Sequence, residues 1–340
     1  MKILVVGPSW VGDMVMAQSL FIALQTKNSP VDIHVLAPAW CEALLAYMPQ
    51  VSKAIAMPVG HGELGLGKRR MLAKALKAEN YDQAIVLPNS FKSALVPWFA
   101  CIPQRTGWRG EARSWILNDC RVLDESQYPL MIERFVALAY ARDAVLTDSL
   151  PWPKINVSEQ EKNLALGKLG LKTGLPTLVL CPGAEFGEAK KWPAQSYGEV
   201  ARKWLSEKGQ VWILGSASDC PDAEKIISTL GNEEKARCAD LTGKTSLGEA
   251  IALMACADKV ISNDSGLMHI AAALERPLVV VYGSTSPGFT PPLAENVATV
   301  NLQLECSPCF KRICPLGHTN CLRQLPPSIV DQALQELASK

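Results

Sequence analysis

Strand-length apolar runs alternate with stretches of helical apolar spacing along this chain, and they do so in two series. Residues 2–6 form the first run, which ends at Gly7-Pro8. Met14, Ala17, Leu20, Phe21 and Leu24 then recur at helical spacing over 13–26. Val31–Leu36 is the next strand, Cys41–Met48 a helix, and Ala84–Leu87 a strand closed by Pro88-Asn89. The second series has strands at Thr177–Cys181, Val211–Leu214, Lys259–Ser262 and Leu278–Tyr282, with helices near 194–207, 221–230, 247–256 and 265–274. Such alternation predicts parallel sheets with helices on both faces. The expected fold is α/β: two Rossmann-like, doubly wound domains facing a central cleft at the carboxyl ends of their strands.

A length of 340 residues suits two domains of ordinary size. A polar, Pro-containing stretch from Thr147 to Ser158, with Pro151 and Pro153, separates the two series. The expected layout is a first domain over 1–155, a linker region over 156–175 that holds Gly170 and Gly174, a second domain over 176–325, and a C-terminal segment over 326–340. Pro327 to Ser339 reads as an amphipathic helix in that last segment. A net charge of +1 argues against a general nucleic-acid binder, which needs a basic surplus. Apolar runs such as Leu278–Tyr282 fall far short of the ~20 residues that span a bilayer. The opening residues read as a strand and turn rather than a signal peptide, so the expected location is the cytoplasm.

The first strand runs into Gly7-Pro8-Ser9-Trp10-Val11-Gly12-Asp13. A dinucleotide site wants Gly-x-Gly-x-x-Gly here and an acidic residue after the second strand; both are missing. Asp13 at the mouth of the first helix is either a helix cap or a general base facing the cleft. In the second series Cys181-Pro182-Gly183-Ala184-Glu185 leaves a strand and reaches Lys190-Lys191-Trp192-Pro193. A lysine beside a strand-exit loop suits phosphate, and Lys191 reads as a solvated neighbour. Asn263-Asp264-Ser265-Gly266-Leu267-Met268-His269 follows a strand and opens a helix, so its free backbone N–H groups suit a diphosphate. Asp264 fits a cap or a hydroxyl acceptor there, and His269 fits either a structural or a functional role. The loop Gly283 to Pro292 either lines the same cleft with its hydroxyl groups or is a turn.

Arg105, Arg109, Arg113 and Arg121 cluster around Trp108, with Asn89-Ser90-Phe91-Lys92 before them and Lys68-Arg69-Arg70 further upstream. They suit an anionic acceptor or a solvated surface. Of eleven cysteines, four crowd into Cys306-x2-Cys309-x4-Cys314-x6-Cys321. The first pair has zinc-ligand spacing; the second is too wide for a standard ribbon, and unligated thiols are the preferred reading. No Asp-x-Asp pair occurs. That favours neutralising a leaving diphosphate with a helix N-terminus and Lys190 over a divalent ion.

The strings Lys2 to Met14, Leu87 to Ala94, Arg105 to Glu111, Cys181 to Gly187 and Asn263 to His269 together resemble the type II lipopolysaccharide heptosyltransferases of glycosyltransferase family nine. The likeness runs from Met1 to about Pro292. It implies the two-Rossmann-domain glycosyltransferase fold of the B type, with an acceptor-binding first domain and a donor-binding second domain. It further implies inverting transfer of L-glycero-D-manno-heptose from ADP-heptose to the first heptose of heptosyl-Kdo2-lipid A, without metal or cofactor. Within that likeness Asp13 is the catalytic base. Lys190, Asp264, Ser265, Gly266, Leu267, His269 and Ser216 bind the donor, and Lys92, Arg105, Arg109 and Arg113 the acceptor. The cysteine cluster occurs in only some members, which implies no essential catalytic role. The acceptor's lipid implies work at the inner face of the inner membrane. The alternatives are the sister enzyme acting on Kdo2-lipid A, another sugar-nucleotide transferase, a sugar-nucleotide epimerase of similar shape, or a zinc scaffold built on the cysteines.

Overall fold

The computed structural model describes residues 1–60, 62–146 and 149–338. The chain divides into two compact units, one ending at Pro153 and the other running from Lys154 onward. Thr147 and Ser339, the outer limits of two of the readings above, lie outside the described residues.

The first unit is built on β1 (Lys2–Val6), β2 (Asp32–Ala37), β3 (Val51–Ala56), β4 (Gln83–Val86), β5 (Gln104–Trp108) and β6 (Asp119–Arg121). The sheet order is β3-β2-β1-β4-β5-β6 and every pairing is parallel. Its central strands are apolar almost throughout because helices cover both faces. Leu4, Val6, Leu36, Ala84 and Val86 form one side of the core with Ala94, Leu95, Val96, Ile116 and Leu117. Helix α1 (Val11–Lys27) packs on α4 (Met131–Val136), and α2 (Leu66–Lys77) packs on α3 (Leu95–Phe99). Gly7 sits against side chains of α1 and β2: a Cβ there would stand 2.6 Å from Met14 Cε and 3.3 Å from Val35 Cγ1.

The second unit repeats the plan with β7 (Thr177–Cys181), β8 (Gln210–Ile213), β9 (Cys238–Asp240), β10 (Lys259–Asn263), β11 (Leu278–Val281) and β12 (Val297–Val300). The order is β12-β11-β10-β7-β8-β9, again all parallel. Each sheet therefore has the doubly wound strand order, reversing between β1 and β4 in the first and between β7 and β10 in the second. Helices α5 (Glu159–Leu169), α6 (Ala194–Ser206), α7 (Cys220–Ser228), α8 (Leu247–Met254), α9 (Gly266–Ala273) and α10 (Pro327–Glu336) surround it. Leu178, Leu180, Ile213, Ile261 and Val279 pack with Trp192, Tyr197, Leu205 and Leu334.

The segment 156–175, expected as a linker, belongs to the second unit. Ser158 and Glu161 form a reciprocal cap at the start of α5, Gly170 ends the helix at φ 64°, and α5 packs on α8. The C-terminal helix α10 is likewise part of this unit, lying on α6 and the β11–β12 edge. Lys259 Nζ reaches its end, donating to the carbonyls of Leu334 at 2.6 Å and Leu337 at 3.1 Å. Expected helix 41–48 is shorter, a 3-10 turn at Ala39–Cys41 leading into Glu42–Leu45. Strands β3, β5, β6, β9 and β12 were not expected. β3, β6, β9 and β12 are the edge strands of the two sheets, so their apolar pattern is weak.

Candidate active site

In the second unit the carboxyl ends of β7 and β10 are neighbours at the reversal of strand order, where a doubly wound sheet opens its crevice. Asn263 fastens the loops that leave these strands. It is fully buried; its Nδ2 donates to the Pro182 carbonyl at 2.6 Å. Its Oδ1 accepts from the Trp192 amide at 3.1 Å and from Tyr197 Oη at 3.0 Å.

Against this base stands an ion pair. Lys190 Nζ lies 2.6 Å from Asp264 Oδ2, with side-chain exposures of only 14% and 4%. Thr285 Oγ1 donates to the same carboxylate oxygen at 2.5 Å. The Lys190 ammonium also sits 4.9 Å over the Phe186 ring. An ammonium has three donors, so one bond to Asp264 leaves others for an anionic oxygen. Beside the pair, Ser265 is the N-cap of α9 but makes no side-chain capping bond; its Oγ meets Ser262 Oγ at 3.2 Å. The leading amides of α9, from Gly266 and Leu267, are thus left to an incoming acceptor. His269, one turn in, is buried, and burial brings its pKa down to about 4 against the pull of Asp264. It is a neutral imidazole at physiological pH.

Two neighbouring loops are fixed from the other side of β7. The Ser216 amide and Oγ both donate to Asp219 Oδ2 at 2.9 Å. Asp219 is buried directly under two glycines: a Cβ on Gly183 or Gly215 would come within 2.4 Å or 2.9 Å of it. Ser216 therefore caps a local turn. Lys191 is not a solvated neighbour. It lies 3.0 Å from Glu188, 3.1 Å from Asp222 and 4.0 Å from Asp219. Burial works against its charge, but Glu188 and Asp222 outweigh it and raise its pKa.

The cysteine-rich segment also touches this site. Ala189 donates to the Arg312 carbonyl at 3.2 Å, and the Arg312 guanidinium lies 5.4 Å over the Phe186 ring. Gly187 (φ 150°) faces the same carbonyl, which a Cβ would approach to 2.5 Å. The loop carrying Lys190 is thus sewn to residues more than a hundred positions away. Cys306, Cys309, Cys314 and Cys321 line a small cavity with His318 and Ser284, and all four are free thiols. Backbone N–H groups of Thr319, Leu316, His318 and Gly317 hold the Cys314 thiol below its ordinary range. Among the described residues no three His, Cys, Asp or Glu side chains are set to hold a metal ion.

In the first unit Asp13 is half-buried in the first turn of α1. It is not the cap: the N-cap is Trp10, which makes no side-chain capping bond. A carboxylate there still favours the helix dipole by about 0.3–1 kcal/mol. The basic cluster separates into two kinds. Arg113 is fully buried and donates to the carbonyls of Pro88 and Trp108, to Asn89 Oδ1 at 3.0 Å and to Ser93 Oγ at 3.0 Å. Burial pulls its pKa down to about 10. Arg105 donates to the carbonyls of Ile116 at 2.8 Å and Ile102 at 2.5 Å. Both arginines, expected among the acceptor-binding groups, are committed to the loops that follow β4 and β5. Arg121 is tied to Asp119 at 2.7 Å. Among the described residues the Lys92 and Arg109 side chains have no hydrogen-bond or ion-pair partner, and Arg109 is exposed. Gly110 lets their two loops meet, since a Cβ there would lie 2.2 Å from the Asn89 carbonyl oxygen.

Sequence reading left Thr285 open between cleft and turn, and missed Asn263 as a fastener and Phe186 and Arg312 as supports. Asn263 was findable as a buried polar residue ending an apolar strand; the Gly187–Arg312 approach has no local signal.

The model for glycosyltransferase family 9 (heptosyltransferase) matches residues 69–320. The chain is 48% identical to lipopolysaccharide heptosyltransferase 2 of Salmonella typhimurium, across 100% of this chain and 99% of that one. It is 44% identical to lipooligosaccharide heptosyltransferase 2 of Haemophilus influenzae, across the whole of both. Among solved structures, that of Escherichia coli ADP-heptose lipopolysaccharide heptosyltransferase II superposes with a TM-score of 0.90 at 46% identity, covering 98% of each chain.

Proposed function

The chain belongs to glycosyltransferase family 9, the heptosyltransferases, and from that premise we propose that it transfers heptose from ADP-heptose onto heptosyl-Kdo2-lipid A, with inversion. The observation that carries this reading is the full-length likeness to heptosyltransferases of type 2, at 44% to 48% identity. The acceptor hydroxyl attacks the anomeric carbon of heptose as the bond to the ADP oxygen breaks. Asp13 takes the hydroxyl proton as general base. The diphosphate gains charge as it leaves, and Lys190 with the leading amides of α9 (Gly266, Leu267) meets that charge. Asp264 and Thr285 hold Lys190 in place, Ser265 and the neutral His269 shape the donor pocket, and Ser216 fixes the loop beside it.

The first unit binds the acceptor and the second the donor. Lys92 and Arg109, whose side chains have no hydrogen-bond or ion-pair partner among the described residues, grip the acceptor's anionic groups, while Arg105 and Arg113 hold their loops. The reaction needs no divalent ion; the lack of an Asp-x-Asp pair and the presence of Lys190 support this. No helix among the described residues is long and apolar enough to cross a membrane. Because the acceptor is anchored by its lipid, the enzyme works as a peripheral protein at the inner face of the inner membrane.

The test is transfer from ADP-heptose to heptosyl-Kdo2-lipid A and to Kdo2-lipid A, in chelator, by wild type and Asp13→Asn. Turnover on the first acceptor alone, with kcat down about 10²–10⁴-fold in the variant and unchanged donor binding, is the expected result. Turnover on Kdo2-lipid A instead makes the chain the sister enzyme. Loss of wild-type activity in chelator removes the metal-free mechanism.

A further inference from the structure

The first unit carries an exposed aromatic patch that no step of the transfer uses. Trp98 and Trp115 meet edge to face at 5.3 Å, and Trp115 is 63% exposed. Trp98 also contacts Phe99 at 5.1 Å, and the Arg70 guanidinium lies 5.0 Å over the Phe99 ring. Beside Arg70 on α2, Met71 is 70% exposed. Contiguous exposed surface of this kind marks an interaction site. Helix α2 holds no carboxylate; Arg69 is buried and Lys68 pairs with Glu63 at 3.3 Å, which leaves Arg70, Lys74 and Lys77 exposed without an ion-pair partner among the described residues. Arg70 and Lys74, one turn apart, share the solvent face with Met71.

We infer that this patch is the surface by which the first unit seats on an anionic bilayer, with Trp98, Trp115 and Met71 in the headgroup layer and Arg70 and Lys74 against lipid phosphates. The inference rests on the proposed reading in that a lipid-anchored acceptor gives the enzyme reason to be there. Its chemistry is independent of it. Tryptophan rings favour the interfacial layer because one edge is apolar and the other a donor. Basic side chains next to them are drawn to anionic lipid, while a protein partner of the same shape would have to supply carboxylates in register. The patch is also continuous with the acceptor loop: Phe91, the neighbour of Lys92, contacts Trp115 at 6.2 Å. A bilayer held by the tryptophans therefore brings a membrane-anchored sugar to the loop that carries Lys92.

The experiment is co-sedimentation of the full chain with vesicles of equal parts phosphatidylethanolamine and phosphatidylglycerol, and with phosphatidylcholine vesicles. It compares wild type, Trp98→Ser/Trp115→Ser and Arg70→Gln/Lys74→Gln, with thermal midpoints as the folding control. Wild type is expected to bind the anionic vesicles in a salt-sensitive way. The basic pair of substitutions should weaken that by about 25-fold, roughly fivefold per charge, and change nothing on phosphatidylcholine. The tryptophan pair should weaken it at least tenfold. Both variants should keep wild-type transfer to a delipidated, water-soluble heptosyl-Kdo acceptor. No wild-type binding, or variants that bind as wild type does, overturns the inference. So does a tryptophan pair that alters self-association in the ultracentrifuge and leaves vesicle binding alone. If the soluble acceptor is turned over while vesicle binding ignores the patch, this inference falls and the proposed function stands. If no acceptor is turned over while vesicle binding needs the patch, the reverse holds.

Discussion

Lys190 and Asp264, separated by 74 positions in sequence, meet at 2.6 Å at the mouth of the second sheet. Their loops leave adjacent parallel strands, so the pair both closes the base of the candidate donor site and sets the direction of the lysine. Removing Lys190 strands a buried carboxylate whose one remaining hydrogen-bond partner among the described residues is Thr285. Lys190→Ala should lower stability by about 2 kcal/mol or more and transfer by at least about 100-fold. Lys190→Ala/Asp264→Asn should lose less stability than the two single changes added together. Urea unfolding of the four proteins checks this; strict additivity would show that the contact is not energetically coupled.

The arginines of the first unit divide by burial. Arg113→Lys should cost about 3 kcal/mol or more, because a lysine cannot serve the carbonyls of Pro88 and Trp108, Asn89 and Ser93 at once. Arg109→Ala should leave the unfolding midpoint within about 0.5 kcal/mol of wild type while raising the acceptor KM. Equal destabilisation by both would contradict the division.

Burial of His269 makes stability pH-dependent with a definite sign. Its folded pKa, about 4, lies below the ordinary 6.5, so between those values the unfolded chain binds the extra proton. The contribution is therefore full above pH 6.5 and is lost as pH falls toward 4, amounting to about 3 kcal/mol. His34 is shifted in the same direction by burial and adds to the slope. His269→Gln should flatten the curve in this window, as equilibrium unfolding at stepped pH will show. An unchanged slope would place the titration elsewhere.

Gly187 should tolerate no side chain. Gly187→Ala forces a Cβ within 2.5 Å of the Arg312 carbonyl oxygen, and φ 150° adds strain. The loop must shift and take Lys190 with it. Donor KM should rise about tenfold or more with little change in global stability, measured by steady-state kinetics alongside calorimetry. Wild-type kinetics would mean that the Arg312 contact does not position the lysine.

Much was legible in the chain because its signals are local. Apolar runs fix parallel strands by burying both faces, so β1, β4, β7, β8, β10 and β11 could be read from a few residues each. The turn Asn263 to Gly266 announced a strand ending in a helix N-terminus, and the family motif named Asp13, Lys190 and Asp264 as its companions. Edge strands such as β3 and β12, half in solvent, lose that pattern and were missed. Only the tertiary structure decided which charged residues serve the fold. Arg105, Arg109 and Arg113 are alike in sequence, yet two are turned inward by carbonyls that the strand order gathers, and one is left outside. The same holds for Lys190 and Lys191, adjacent residues whose different partners come from different strands. Residue type and spacing set which elements form. Which side chain meets which across those elements depends on strand order, and that is a long-range property that no local pattern encodes.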